Sequence, residues 1–230
     1  MASTRLTFLV LLPWLFALNG VAQEPNGKPT VMPIYVSPYY DSRGPKIAVG
    51  EFSEQLAAAT PETILDLTKT MQTKWDTLST EAMFVVSIRL YDLGLKDEST
   101  FWFHSARFRT NLLRRLAPEK SLGGIGAPAF ERHHARIAFG DLAGTYINGY
   151  AFGDMTKVHA MLQRVIDENQ KAPDFTVIYP GQTFIPAKDW DAAVKDVEKS
   201  YIGFRDKTAD PQFIEETKAM RKKNGIEGKY

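Results

Sequence analysis

Six arginines and three histidines fall between residues 104 and 136: Arg107, Arg109, Arg114, Arg115, Arg132 and Arg136, with His104, His133 and His134 among them. A guanidinium presents a rigid fork of donors that matches carboxylate and phosphate oxygens. Clustered, these side chains suit an acidic partner or an anionic ligand. The preceding stretch is acidic, with Glu51, Glu54, Glu62, Asp66, Asp76, Glu81, Asp92, Asp97 and Glu98. A second reading therefore stays open, in which the basic residues pair with these carboxylates inside the molecule. The candidate partner-binding residues are Arg107, Arg114, Arg115, Arg132 and Arg136. On a helix, positions 107, 114 and 115 fall on similar sides, because seven residues make nearly two turns.

Other chemistry is thinly supported. His133 and His134 are adjacent, so on a helix they point about 100° apart and do not readily share one metal ion. They lack the His-Glu-x-x-His spacing. Gly123-Gly124-Ile125-Gly126 lacks the following Lys-Ser/Thr of a phosphate-binding loop and reads as a turn. No Gly-x-Ser-x-Gly elbow occurs, and with no cysteine there is no thiol nucleophile, zinc thiolate or iron–sulfur ligand. Carboxylates are plentiful, which keeps open a hydrolase whose acid–base pair assembles in space. The sequence assigns no catalytic residue, no metal site and no cofactor. The aromatic run Phe101-Trp102-Phe103 reads as core.

The elements that position these groups are mostly helices. Thr60-Pro61-Glu62 is a cap and start, followed by Ile64, Leu67, Met71, Trp75 and Leu78 in one apolar stripe. The next helix, capped by Ser79 or Thr80, is apolar on most sides, which predicts a central position. Gly94 ends it. Asp97 opens the helix that carries Arg107 to Arg115. Residues 117–130 read as a loop. Leu142, Tyr146, Ile147 and Tyr150 predict a further helix, and Met155, Val158, Leu162, Val165 and Ile166 another. Asp174 to Tyr179, apolar and β-branched, predicts a short strand. Trp190, Val194, Val197, Tyr201 and Phe204 keep helical spacing, and Asp210-Pro211 opens a last helix. Ahead of all this, Pro25, Pro29, Pro33, Pro38 and Pro45 forbid a helix and predict an extended strap, with short strands at Val31–Val36 and Lys46–Val49. The expected fold is mainly α: antiparallel helix pairs in one compact domain, with the strap and one or two short strands. Its parts are a signal peptide at 1–22, the strap at 23–50, the helical domain at 51–224 and a frayed tail at 225–230.

Leu90-Tyr91-Asp92-Leu93-Gly94 ends one helix, and Ser99, Phe103 and Ala106 follow five, nine and twelve residues after Gly94. Residues 83–106 thereby resemble a tetratricopeptide or Sel1-like helical hairpin. The resemblance implies close helix pairing, with Ser87, Ser99 and Ala106 as the small contacts and Phe103 filling the groove. It also implies a protein-binding groove. Asn111 stands where such hairpins carry a closing proline. The next comparable turn, Gly153-Asp154, comes 59 residues later rather than at the roughly 34-residue tetratricopeptide period, so a second hairpin near 142–166 fits poorly.

Arg5 and the apolar run Leu6 to Leu18 precede Gly20-Val21-Ala22, the order of a secretory signal peptide cleaved after Ala22. The run is shorter than the ~20 residues of a membrane span. The remaining chain, about 208 residues, is long enough for one domain with a sizeable core. The formal net charge of the whole chain is +1, and losing Arg5 leaves it neutral, which argues against a general nucleic-acid binder. With no cysteine and no Asn-x-Ser/Thr acceptor, a periplasm is favoured over an extracellular space. The expectation is a secreted protein-recognition module that binds an acidic protein partner through a basic face. An inhibitor or immunity-type protein is one form of this. The alternative is the periplasmic hydrolase with a spatially assembled carboxylate and histidine site.

Overall fold

The computed structural model describes residues 27–230. The signal segment, its cleavage site after Ala22 and the first residues of the strap lie outside the described residues.

The strap forms a three-stranded antiparallel sheet of two-residue strands: β1 Tyr35–Val36, β2 Tyr40–Asp41 and β3 Lys46–Ile47, in that spatial order. Val36 lies opposite Tyr40, and Tyr40 opposite Ile47. Tyr40 adds a strand that the sequence pattern does not announce. Met32, Ile34, Val36 and Tyr40 are buried, so the strap lies on the helical body as a packed layer. One buried carboxylate fastens it. Asp92 accepts from the Met32 amide at 2.8 Å and the Tyr40 hydroxyl at 3.3 Å.

Nine α-helices follow among the described residues. The first two are α1 (Ser53–Ala58) and α2 (Pro61–Thr73). Helix α2 starts where Thr60 and Thr63 form a reciprocal cap with proline in the first turn. Next come α3 (Thr80–Asp92) and α4 (Lys96–Leu116). Ser79 caps α3 by accepting from the Ala82 amide at 3.2 Å. Twelve of the thirteen α3 residues are buried, Arg89 being the exception, as a helix apolar on most sides requires. The α3–α4 turn places Gly94 at φ 87°, with Gly94 N–H to Tyr91 C=O at 3.0 Å and Leu95 N–H to Leu90 C=O at 2.8 Å. These two bonds make a Schellman motif, which needs a residue free of a Cβ at that site. Ser99 donates to the Ser87 carbonyl at 2.7 Å, so the two helices meet through small side chains. Val86, Leu90, Phe103 and Ala106 are all buried.

Helix α4 is the axle of the body and packs against α3, α5 (Pro128–Ala151), α6 (Met155–Glu168) and α8 (Trp190–Lys207). Helix α5 starts well before the stripe that announced it. Its buried face is Ala135, Arg136, Phe139, Gly140, Ala143, Gly144, Ile147 and Ala151, so small and charged residues hide the apolar period. Leu142, expected inside, is 43% exposed. Residues 119–121 form a 3-10 turn in the preceding loop. The strand expected at 174–179 is instead a single helical turn, α7 (Phe175–Ile178), capped by Asp174, which accepts from the Thr176 and Val177 amides. Phe175 and Tyr179, four residues apart, then both face inward with their rings stacked at 6.1 Å. Helix α9 (Pro211–Lys223) is capped by Asp210. Beyond it the chain turns back so that the Tyr230 ring meets Tyr146 at 5.8 Å. Among the described residues no helix is long and apolar enough to cross a membrane.

Candidate functional site

The five candidate arginines take three different environments. Arg107, Arg114 and Arg115 line one side of α4, as their spacing predicts. Arg107 is half-buried and its guanidinium lies against Gly140 of α5, in the space a side chain there would occupy. Arg115 pairs with Asp196 of α8 at 2.6 Å and donates to the Asn111 carbonyl at 3.2 Å. Both of those partners are partly solvated, so the pair is weak. Arg114 is exposed and has no ion pair among the described residues.

Arg132 and Arg136 belong to a different place. Arg132 is half-buried, lies over the Tyr179 ring at 5.1 Å and donates to Gln182 at 3.1 Å. Arg136 is 2% exposed and donates to Glu81 at 2.8 Å. The Tyr179 hydroxyl donates to the other Glu81 oxygen at 2.8 Å and accepts from the Thr80 amide at 3.1 Å. Glu81, Arg136 and Tyr179 thus form a buried joint between α3, α5 and α7 rather than part of an exposed face. Burial and the Glu81 carboxylate both push the Tyr179 phenol well up, keeping it a donor. Arg109 is buried too. It donates to the Leu78 and Trp75 carbonyls at 2.8 and 2.6 Å and lies 4.7 Å over the Trp75 ring. Burial lowers its pKa to about 10, against the charges of Tyr179 and Asp76, which leaves it charged at neutral pH.

Between α5 and α8 the surface of α4 is open, and a groove runs along it. Its larger part is a cavity of about 640 Å³ that includes His104, Arg107, Gly144, Asn148, Tyr201 and Phe204. It continues through Asn111 and Ser200, which line both parts, into a space of about 440 Å³ beside Arg114 and Arg115. From residue 104 to 115 the floor is about 16 Å long at 1.5 Å per residue. Two α5 glycines give the groove its shape. Arg107 fits against Gly140, and the Phe103 ring edge fits against Gly144. His104 forms a hydrogen bond with the Asn148 side-chain oxygen at 3.2 Å, and its carbonyl accepts from Tyr201 at 3.0 Å. Burial, with Arg107 adding to it, lowers the His104 pKa to about 4, so the ring is neutral at pH 7. One part of the groove therefore combines aromatic rings and a neutral imidazole with Arg107 and Asp141, and the other is lined by Arg114 and Arg115.

Two acidic residues at the start of α4 are engaged in ion pairs. Asp97 accepts from Tyr150 and Lys157, both at 2.8 Å. Glu98 takes Arg164 in two bonds of 2.6 and 3.0 Å, and that guanidinium lies 3.5 Å over the Phe101 ring. These side chains border a cavity of about 550 Å³ between α4 and α6. Among the described residues no three His, Asp or Glu side chains converge as a ligand set. His133 and His134 lie with their rings at 86° to one another, and His159 meets the Arg205 carbonyl at 3.1 Å. Gly123 and Gly126 take positive φ in an exposed turn. Phe101, Trp102 and Phe103 are core. Sequence reasoning missed Glu81 and Tyr179 as the partners that withdraw Arg136 from the surface. They stand 55 positions before it and 43 after it in the chain, and no local spacing links them.

No protein-family model matches the chain. No solved structure matches it. The chain is similar to a Haemophilus influenzae protein described as uncharacterized, at 25% identity over 201 residues, which covers 82% of this chain and 71% of that relative.

Proposed function

We propose that this chain is an exported recognition protein that holds an acidic segment of a protein partner in the groove over α4. The observation that carries the reading is Arg114, an exposed guanidinium at one end of the groove with no ion pair among the described residues. Arg107 and Arg115 extend the positive strip, against Asp141 and Asp196 at the edges. The larger part of the groove offers Phe204, Tyr201 and neutral His104 to an apolar or aromatic side chain. Export rests on the charged, apolar and small-residue order of residues 1–22, and the absence of cysteine and glycan acceptors favours a periplasm. The tetratricopeptide-like hairpin of residues 83–106 points the same way. Glu81, Asp97 and Glu98 are held in ion pairs, which takes these three carboxylates out of a hydrolase's acid–base pair.

Photocrosslinking from a benzoylphenylalanine at position 111 of the exported chain tests this. The adduct should map to an acidic segment of the partner. It should disappear in the doubly reversed variant Arg114→Glu, Arg115→Glu while the melting temperature holds. Association should slow as salt rises, because screening shortens the reach of the strip. A crosslinked segment without net negative charge, or an adduct indifferent to both reversals, overturns the reading.

A further inference from the structure

We infer that the notch where the end of α4 meets the first turns of α5 is a binding site for a small oxyanion, a phosphate or a compact carboxylate, with Arg114, His133 and Arg136 as its donors. These three side chains line one cavity of about 200 Å³, with Leu113 and Leu122 on its apolar side and Glu119 at its edge. Arg136 is the decisive group. It is 2% exposed, one terminal nitrogen is committed to Glu81, and its Nε has no hydrogen-bond partner. That Nε is sealed from solvent, so an oxyanion in the notch becomes its acceptor only when the guanidinium turns; without movement the notch meets the positive charge of Arg136 and Arg114. Arg114 brings a second cation free of any ion pair among the described residues. A phosphate-sized group fits the volume, and the two leucines leave room for a short apolar body.

His133 makes the site sensitive to pH. It faces Arg114 from α4, Arg136 and His134 from its own helix, and Glu119 from the 3-10 turn. Burial, then Arg136, His134 and Arg114, hold its pKa below the usual imidazole value, and only Glu119 opposes them. An anion placed between the two arginines offsets that repulsion and favours the imidazolium. For an anion whose own charge is constant over the range, binding therefore takes up a proton and affinity rises as pH falls. Glu119 repels the ligand.

Calorimetry on the full chain with inorganic phosphate, and separately with glutarate, at pH 6 and pH 8 tests the site. Saturable binding of at least one is expected; glutarate, mainly a dianion at both pH values, should bind tighter at pH 6, whereas phosphate loses charge between pH 8 and pH 6 and so reports occupancy only. Arg114→Gln should weaken it about tenfold, the size of one charge-assisted contact. His133→Asn should flatten the pH dependence, and Glu119→Gln should tighten binding. These three positions lie at the notch's outer side, so circular dichroism should report an unchanged fold. Glutarate binding without phosphate binding assigns the site to carboxylates, and the converse to phosphates. No saturable binding of either, which leaves only water in the notch, overturns the inference. So does binding that Arg114→Gln and His133→Asn leave unaltered. Arg114 serves both readings and Arg115 only the first, so Arg115→Glu should impair the partner crosslink and spare oxyanion binding, which separates failure of one from failure of the other.

Discussion

Arg136 of α5 donates to Glu81 of α3 at 2.8 Å with both side chains about 2% exposed, and this pair ties the second half of the body to its central helix. Two charges removed from water hold each other only while both are present. Glu81→Gln keeps the shape and strands a buried cation, so it should cost about 3 to 5 kcal/mol in urea denaturation. Glu81→Leu combined with Arg136→Met should cost less than either single change, since no charge is left unpaired. Tyr179→Phe removes the donor to Glu81 and the acceptor of the Thr80 amide, and should cost about 1 to 3 kcal/mol. A double variant less stable than both singles would show that the joint stabilises through packing rather than pairing.

The α3–α4 hairpin has no room to spare. Ala106 is wholly buried in α4, which packs against α3 on the near side of the Gly94 turn. Ala106→Leu should overpack the contact and cost roughly 1 to 3 kcal/mol. Thermal melting checks it. An unchanged midpoint would mean that the hairpin register is wrong.

The two glycines of α5 should respond to alanine with opposite signs. A Cβ on Gly140 meets only the tip of Arg107, a flexible side chain that can swing away. Alanine is also the better helix former by about 1 kcal/mol, so Gly140→Ala should hold or raise stability while moving Arg107 in the groove. A Cβ on Gly144 comes 3.2 Å from the Phe103 ring, which is buried against Phe84 and His104 and cannot retreat. Gly144→Ala should lower stability by about 1 kcal/mol despite the propensity gain. Melting of the two variants side by side decides it, and equal shifts would contradict the packing described for Phe103.

What the sequence made legible follows from how its buried faces are composed. Helix α6 could be read residue by residue, because Met155, Val158, Leu162, Val165 and Ile166 are apolar at helical spacing and all are buried. The first half of α5 could not, because Ala135, Arg136, Gly140 and Gly144 make a buried face without an apolar signal. Helix α7 read as a strand because Thr176, Val177 and Ile178 are β-branched, while the deciding features are the Asp174 cap and the four-residue spacing of Phe175 and Tyr179. In the same way, seven-residue spacing put Arg107 and Arg114 on one side of α4, whereas the fate of Arg136 depended on Glu81, 55 residues away. Local periodicity carries helix faces, and long-range pairing of charges lies outside it.

Two buried groups should give the stability curve opposing slopes in the same pH range. Burial raises the Asp92 pKa to about 6, against the hydrogen bond from Met32 and the charge of Arg89, from an ordinary value of 3.8. The folded state therefore holds this proton more tightly than the unfolded chain. The stabilisation is complete below pH 3.8 and is lost as pH rises to about 6. At 1.36 kcal/mol per unit that loss is about 3 kcal/mol. His104, lowered from 6.5 to about 4, behaves oppositely. Its stabilisation is complete above pH 6.5 and is lost as pH falls to about 4, by about 3 kcal/mol. In the native chain the two slopes nearly cancel between pH 4 and 6. Asp92→Asn can still accept from the Met32 amide, so the strap should stay docked while stability falls on acidification more steeply than in the native chain. His104→Gln should do the reverse and lose stability, relative to the native chain, as pH rises from 4 to 6. Urea midpoints at pH 4, 5, 6 and 7 for the three proteins measure the slopes directly. Parallel curves would mean that neither group titrates differently on folding.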